Sequence, residues 1–465
     1  MKSETLLWGS SLLLSALPAC SLAQNIDSGR PNILIILTDD AGYNDFGFMG
    51  SKEMYTPHID ALAQEGVIFD DAHVAATVSS PSRACLITGR SGQRFGYECN
   101  LEHAGDGLPL SEQTIGDVFH DNGYRTAAIG KWHLGATPEM HPNKRGFDLF
   151  YGMLAGGRQY FYDPERDDRP GDEHNLQLNG VQQKFDGYLT DVFTDKAIEY
   201  INQPTDQPFI MYLAYNAVHT PMQATREDLD KFKGHPRQKL AAMTYALDRC
   251  VGRIVEDLKA SGKYDNTLIF FINDNGGATI NTSNNYPLKG FKGNKFEGGH
   301  RVPCFIVWNG KISGNRHYQG LSSSLDIFTT AMDAAGIKKT KNRLDGVSLL
   351  PYLQKGKKGD PHKSLYWRKM DTRAMRQGDY KLIMTTGIDT VLYNVRQNLE
   401  ETRNLKEEEP KVFRKMMKSL SAWEKKVCVE PLWVEEGWRN ITNNIHRRLM
   451  NNEIKTYQDM YKKKK

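Results

Sequence analysis

Asn32-Ile33-Leu34-Ile35-Ile36-Leu37-Thr38-Asp39-Asp40 is the stretch from which the fold is read. Its continuous apolar run is too short for a helix, and a half-buried strand would alternate with polar residues, so it describes a central strand covered on both faces. The strand ends in two acids. Working outward, helical patterns near Ile59 to Gln64 and Thr114 to His120 precede a strand over Thr126 to Ile129. A helix near Val192 to Ile201, a strand over Phe209 to Ala214 and a long helix near Leu240 to Leu258 follow. Strands over Leu268 to Ile272 and Cys304 to Trp308 and a helix from Leu325 to Ala335 complete the series. This alternation predicts an α/β fold, a large mostly parallel sheet sandwiched by helices. After about Gly346 come short strand-like runs, Ser364 to Trp367, Tyr380 to Met384 and Val391 to Asn394, and then a charged amphipathic helix near Pro410 to Val427. They predict a smaller C-terminal antiparallel sheet with a covering helix, so the expected units are 24–345 and 346–465.

The chain has 465 residues, 39% hydrophobic and 25% charged, which fits a globular protein and excludes disorder and collagen-like repeats. Lys plus Arg is 60 against 56 Asp plus Glu, and four of the lysines are the terminal Lys462 to Lys465, so the rest balances and a broad nucleic-acid-binding face is not expected. The stretch Arg439 to Lys465 is polar and basic, and its lysine run reads as a solvated or frayed end rather than a membrane patch. At the N-terminus, Lys2, the apolar Leu6 to Leu17 and Ser21-Leu22-Ala23 before Gln24 form an export signal over 1–23, placing the protein in the periplasm or outside the cell. The second reading is a lipoprotein box, Leu17-Pro18-Ala19-Cys20, which would anchor the chain through Cys20. Cys85, Cys99, Cys250, Cys304 and Cys428 are scattered and odd in number, giving neither a disulfide framework nor zinc spacing.

In an open α/β sheet, ligands sit beyond the carboxyl ends of the strands. Here those ends carry Asp39-Asp40, Gly130-Lys131-Trp132-His133, Asn216 with His219-Thr220-Pro221, and Asn273-Asp274-Asn275-Gly276-Gly277. Asp39, Asp40, Asp274 and Asn275 are hard oxygen donors with no Cys or His interleaved, so a shared site favours calcium or magnesium over zinc. An isolated Asp-Asp is more often a turn or cap; the second acid and amide pair changes the balance. Lys131, His133, His219 and Lys292 form a cationic set that, beside a divalent cation, describes a pocket for a multiply charged oxyanion.

Ser79-Ser80-Pro81-Ser82-Arg83 followed by Leu86-Ile87-Thr88-Gly89-Arg90 resembles the signature of the type I sulfatases, in which the first motif residue, a Cys or Ser, is oxidised to formylglycine. Taken locally, the same string reads as a Ser/Pro turn capping a short helix. The remaining family motifs occur in order from Pro31 to Leu382: Asn32 to Gly42, Gly130 to Gly135, Asn273 to Gly277, and Pro287 to Gly293 leading into Glu297 to Pro303. The resemblance implies that Asp39, Asp40, Asp274, Asn275 and the modified residue 79 hold one calcium ion and that Arg83 stabilises the aldehyde hydrate. It further implies that Lys131 and Lys292 hold the sulfate oxygens, that His219 with Lys292 assists the leaving oxygen, and that His133 deprotonates the second hydroxyl so that sulfate leaves by elimination. Cys85 lies six residues past Ser79 and is not the modified position, so the precursor is serine, as expected for an anaerobic radical sulfatase-maturating enzyme as partner.

Two other readings compete: a phosphatase or phosphodiesterase of the same superfamily using Ser79 directly, which would usually hold two zinc ions, and a non-catalytic protein that binds sulfated glycans. The resemblance implies a carbohydrate O-sulfate as substrate. The motif Asn284-Asn285-Tyr286-Pro287-Leu288 is similar to that of enzymes removing 4-sulfate from galactose or N-acetylgalactosamine. The loop Gly156 to Asp163, mixing aromatic, basic and acidic residues, reads equally as a sugar-facing wall or as a core anchor.

Overall fold

The structure, a computed structural model, describes residues 29–456 together with Met1 and Asp459. The expected export signal, Cys20 and the lysine run therefore lie outside the described residues. Five parallel strands lie side by side in the order Thr267–Asn273, Asn32–Thr38, Phe209–Ala214, Arg125–Lys131 and Leu149–Met153. Cys304–Val307 pairs antiparallel with Thr267–Asn273, and Val67–Phe69 and Arg316–Tyr318 extend the sheet beyond it. A short hairpin of Gln177–Leu178 and Val181–Gln182 closes the other side, giving ten strands.

The apolar run of the first strand is explained by this central place. Ile33, Ile35 and Leu37 join one core, with Phe119, Trp132 and Phe328, while Leu34 and Ile36 join the other, with Leu240, Leu247 and Val251 of the long helix Gln238–Ala260. All five are essentially inaccessible to solvent. Each such side chain contributes about 1.5–3 kcal/mol of transfer free energy, which is why both faces of the strand are apolar from Ile33 to Leu37.

From Ser364 the chain forms an antiparallel meander of Ser364–Lys369, Thr372–Gln377, Tyr380–Thr385 and Asp389–Asn394, while Leu349, Leu350 and Leu353 still belong to the core of the large sheet. The expected helix, Pro410–Val427, covers one face with Met416 and Leu420 against Met375, Leu382 and Leu392. The other face is covered by the helix Arg439–Met450, which was not anticipated from the sequence. Ile445, Leu449 and Met450 of that helix pack on Trp367, Ala374 and Ile383. The segment is polar overall, but Ile441, Ile445 and Leu449 recur at four-residue spacing and give it one adhesive stripe. The two parts of the chain are tied by a fully buried ion cluster: Lys381 Nζ lies 2.9 Å from both Glu297 Oε1 and Glu401 Oε1.

Candidate active site

Four neighbouring parallel strands deliver their carboxyl ends to one place. Asp39 and Asp40 follow the central strand, Asp274 and Asn275 follow one neighbour, His219 the other, and Lys131 and His133 come from the strand beyond it. Ser79 and Arg83 arrive separately, on the first turns of a helix, Ser79–Thr88, whose every residue is buried. The local reading as a turn with a short helix underestimated this element, which spans ten residues. Its N-terminus, the positive end of the helix dipole, points Ser79 into the cluster.

Ser79 Oγ is 3.1 Å from Asn275 Oδ1 and 3.5 Å from Asp39 Oδ1. Arg83 forks onto Asp274 Oδ2 from Nε (3.2 Å) and Nη2 (3.0 Å), its Nη2 also lies 3.3 Å from Asp39, and Nη1 donates to the Lys131 carbonyl at 3.1 Å. Lys131 Nζ donates to Asp39 Oδ2 at 2.5 Å, and Lys292 Nζ bridges both oxygens of Asp40 at 2.7 and 2.9 Å. Asn275 Nδ2 donates to Asp40 Oδ1 at 2.8 Å. Asp40 itself holds a left-handed φ of 62°, maintained by Asn281 and Ser283, which both donate to its carbonyl. Such strain in a non-glycine residue persists only where its surroundings fix it.

The histidines face the same cluster. His219 Nδ1 donates to the Thr220 carbonyl at 2.7 Å, leaving Nε2 3.7 Å from Asp40 Oδ2. His133, also at a left-handed φ of 58°, has a buried Nδ1 with no partner. Two glycines set the rings: a Cβ on Gly156 would stand 2.6 Å from His133 Nε2, and one on Gly157 would stand 3.2 Å from His219 Cε1. The loop from Gly156 is thus chiefly an anchor. Tyr160 is buried and donates to the carbonyls of Asn216 and His219, and the buried Arg158 pairs with Asp167. The Asn284-Asn285 motif is also structural, because Asn285 accepts from Tyr43 and Gly277 N–H groups and donates to the carbonyls of Gly277 and Gly290.

Burial opposes the charge on every member of the cluster, and the neighbours decide which charges survive. Against that burial, Lys131, His219, Arg83 and Lys292 hold the Asp39 carboxyl well below the usual range, and Lys292 and His219 do the same for Asp40. Asp274 is pushed up, by burial first and then by the negative charge of Asp39. Lys292 is raised despite its burial by Asp40 and Asp39. His133 is driven far down by burial and by the charges of Lys131 and Arg83, so its imidazole is neutral. Three carboxylates and one amide oxygen, all inaccessible to solvent, form a hard-oxygen donor set, and Asp39, Asp40 and His219 can present ligand atoms within 4.8 Å of one another. That set fits a calcium ion.

Several contributors were not read from the sequence. Asn273 accepts from Thr38 Oγ1 and the Ala41 N–H and donates to the Ala41 carbonyl, locking the two acidic strand ends together. Ser80 donates to the His133 carbonyl and accepts from Tyr97 OH, and its own N–H reaches Asn100 Oδ1. From the C-terminal part, Trp433 packs edge-on against Tyr97 and donates to the Asn100 carbonyl at 2.6 Å, so residues after 430 wall the site. Asn273 and Ser80 lie inside the motifs quoted above, and a supporting role for them could have been suspected on that ground. The tryptophan lies 354 positions from Ser79, and no local pattern announces it.

The sulfatase family pattern matches residues 31–337, which include every residue of the cluster. The chain is 37% identical over 398 residues to the uncharacterized sulfatase YdeN of Escherichia coli K12, covering 73% of this chain and 69% of the relative. It is 32% identical over 397 residues to the mouse N-acetylgalactosamine-6-sulfatase, covering 80% and 76%. Among solved structures, that of Ps i-CgsB in complex with k-i-k-neocarrahexaose superposes with a TM-score of 0.83 at 35% identity, covering 93% of this chain and 100% of that one. With the signature helix, the acidic strand ends and the two lysines gathered at one point, the chain belongs to the sulfatase family and is a sulfuric ester hydrolase.

Proposed function

We propose that the protein removes O-sulfate from galactose or N-acetylgalactosamine residues of a glycan, using residue 79 as formylglycine and one calcium ion. The observation that carries this reading is the charge arithmetic around Ser79. Asp39, Asp40 and Asp274 contribute three negative charges, and Arg83, Lys131 and Lys292 three positive ones, all in direct contact. A divalent cation in the oxygen set leaves a surplus of two positive charges, matched to the sulfate dianion that must be released. Asp39, Asp40, Asp274, Asn275 and residue 79 would hold the calcium, which supplies Lewis acidity toward a sulfate oxygen. The hydrated aldehyde of formylglycine supplies a hydroxyl nucleophile together with a second hydroxyl through which sulfate can be expelled without attack by external water.

The chain's own residues do the rest. Arg83 orients the acids and the hydrate of residue 79; Lys131 and Lys292 bind the sulfate oxygens in a largely buried site, where such contacts are strengthened. His219, with Nδ1 committed to a carbonyl, presents Nε2 as the proton donor to the departing sugar oxygen, assisted by Lys292. His133 is a neutral imidazole with a free nitrogen and so acts as the base. The galacto configuration is supported by the relative named for N-acetylgalactosamine 6-sulfate, and a glycan substrate by the structure solved in complex with k-i-k-neocarrahexaose. Position 4 follows from the sequence resemblance and position 6 from the relative's name; both belong in the assay. Maturation of Ser79 would fall to an anaerobic radical sulfatase-maturating enzyme, and export to the leader over 1–23, with residues 24–345 as catalytic domain and 346–465 as the subdomain that walls it.

The test is the mass of the peptide containing Ser79 from co-expression with such a maturase, together with turnover of galactose and N-acetylgalactosamine 4- and 6-sulfates. A loss of two hydrogens at Ser79, and no turnover in Ser79→Ala at an unchanged melting temperature, is expected. Turnover that survives Ser79→Ala would falsify the mechanism.

A further inference from the structure

A cleft of about 300 Å3 opens directly off the catalytic cluster, sharing Asp40 and Lys292 with it, and runs outward between Phe291 and the start of the Arg439–Met450 helix. Its outer lining is unusual for a surface beside so many charges. Trp438 is 58% exposed, Ile280 64% and Ile441 50%, and all three lie in this one cleft. The two other charged side chains in its lining, Lys369 and Glu435, are buried and paired with each other, so the cleft offers no uncompensated charge to a second sulfate. The wall is fixed in place: Arg439 binds Asp371 at 2.5 Å, Asn443 binds the same carboxylate at 2.7 Å, and the Trp438 N–H donates to the Glu435 carbonyl at 3.0 Å. Buried His446 ties the helix to the lysine loop by accepting from the Lys295 N–H.

We propose that this cleft seats the sugar ring adjoining the sulfated one, with the Trp438 indole as the platform for its C–H face and Ile280 and Ile441 at its edges. The inference rests on the sulfatase reading above. A ring held here would abut Lys292, which lines the cleft, so the cleft would make the enzyme select glycan chains over single sulfated sugars. An unsulfated ring face suits the apolar, uncharged lining, as small-molecule sites combine apolar walls with few polar groups. Loss of one aromatic stacking contact is worth on the order of tenfold in affinity.

The experiment compares Trp438→Ala and Trp438→Phe with the parent in two ways. In matured enzyme, kcat/KM is measured on a carrageenan hexasaccharide and on galactose 4- and 6-sulfates. In the Ser79→Ala background, Kd for the hexasaccharide is measured by calorimetry. Trp438→Ala is expected to lower kcat/KM on the hexasaccharide about tenfold more than on the monosaccharides, through KM, and to raise Kd about tenfold, with Trp438→Phe recovering most of both. Equal losses on all substrates, a Kd that moves less than twofold, or no binding of the hexasaccharide by the Ser79→Ala protein overturns the subsite. An effect confined to hydrophobic aryl sulfates also overturns it and assigns the wall to an apolar aglycone. Failure of the matured enzyme to turn over any sulfate ester would count against the sulfatase reading alone, because the Kd comparison still decides the cleft.

Discussion

Replacing Arg83 by methionine tests whether the buried charges at this site are held by their partners. The guanidinium is inaccessible to solvent and satisfies Asp274 twice, Asp39 once and the Lys131 carbonyl once. Methionine fills comparable volume but leaves Asp274, already pushed up by burial and by Asp39, without its principal cation. Removing one partner of a buried ion pair costs about 3–5 kcal/mol. With an unfolding entropy of ~2.1 cal/mol/K per residue, a cooperative unit of this length loses about 3–5 °C of melting temperature for that energy. The assay is thermal unfolding of the parent, Arg83→Met, Asp274→Asn and the double variant, all in chelator so that a bound ion cannot compensate. Asp274→Asn removes the charge that Arg83 neutralises, so the double variant is expected to lose at least ~1 kcal/mol less than the sum of the singles. Additive losses, or a shift below ~1 °C for Arg83→Met, would refute the claim that this pairing holds the cluster.

Gly156→Ala places a methyl group 2.6 Å from His133 Nε2, so the ring must move; kcat should fall by about tenfold or more, while Gly157→Ala, with its 3.2 Å approach to His219, should cost less. Equal kcat for parent and Gly156→Ala would show that His133 has no positional role. Lys295 is buried, donates to Thr77 Oγ1 at 2.9 Å, and is pushed down to about 7 by burial with Lys369 nearby. Its burial penalty is therefore full below about pH 7 and is relieved as pH rises toward the unfolded-state value, since the unfolded chain then binds more protons. Lys295→Met should accordingly raise the melting temperature at pH 6 and by much less at pH 9; a difference independent of pH would contradict the assignment. Finally, calcium at about 100 times its Kd should stabilise the protein by about 2.7 kcal/mol over the chelated form and restore its activity, and a melting temperature indifferent to both treatments would remove calcium from the site.

The residues of the catalytic cluster were legible because they sit in short motifs at strand ends, and strand ends are where an α/β sheet puts its ligands. Periodicity located the parallel strands from Asn32–Thr38 to Thr267–Asn273 but missed Leu149–Met153, a five-residue run broken by Gly152. It also named no helix over Arg439–Met450, since polar residues outnumber the stripe that docks it. By itself, then, the sequence determined the fold class, the family motifs and the candidate site residues, all properties of local spacing. Only the tertiary structure decided which charges meet. Lys292 reaches Asp40 across 252 positions and Arg83 reaches Asp274 across 191, because acids removed from water must find cations wherever the folded chain can bring them. The same holds for the wall of Trp433 and Trp438: their contacts exist only once the second sheet has docked and turned the C-terminal segment back over Ser79.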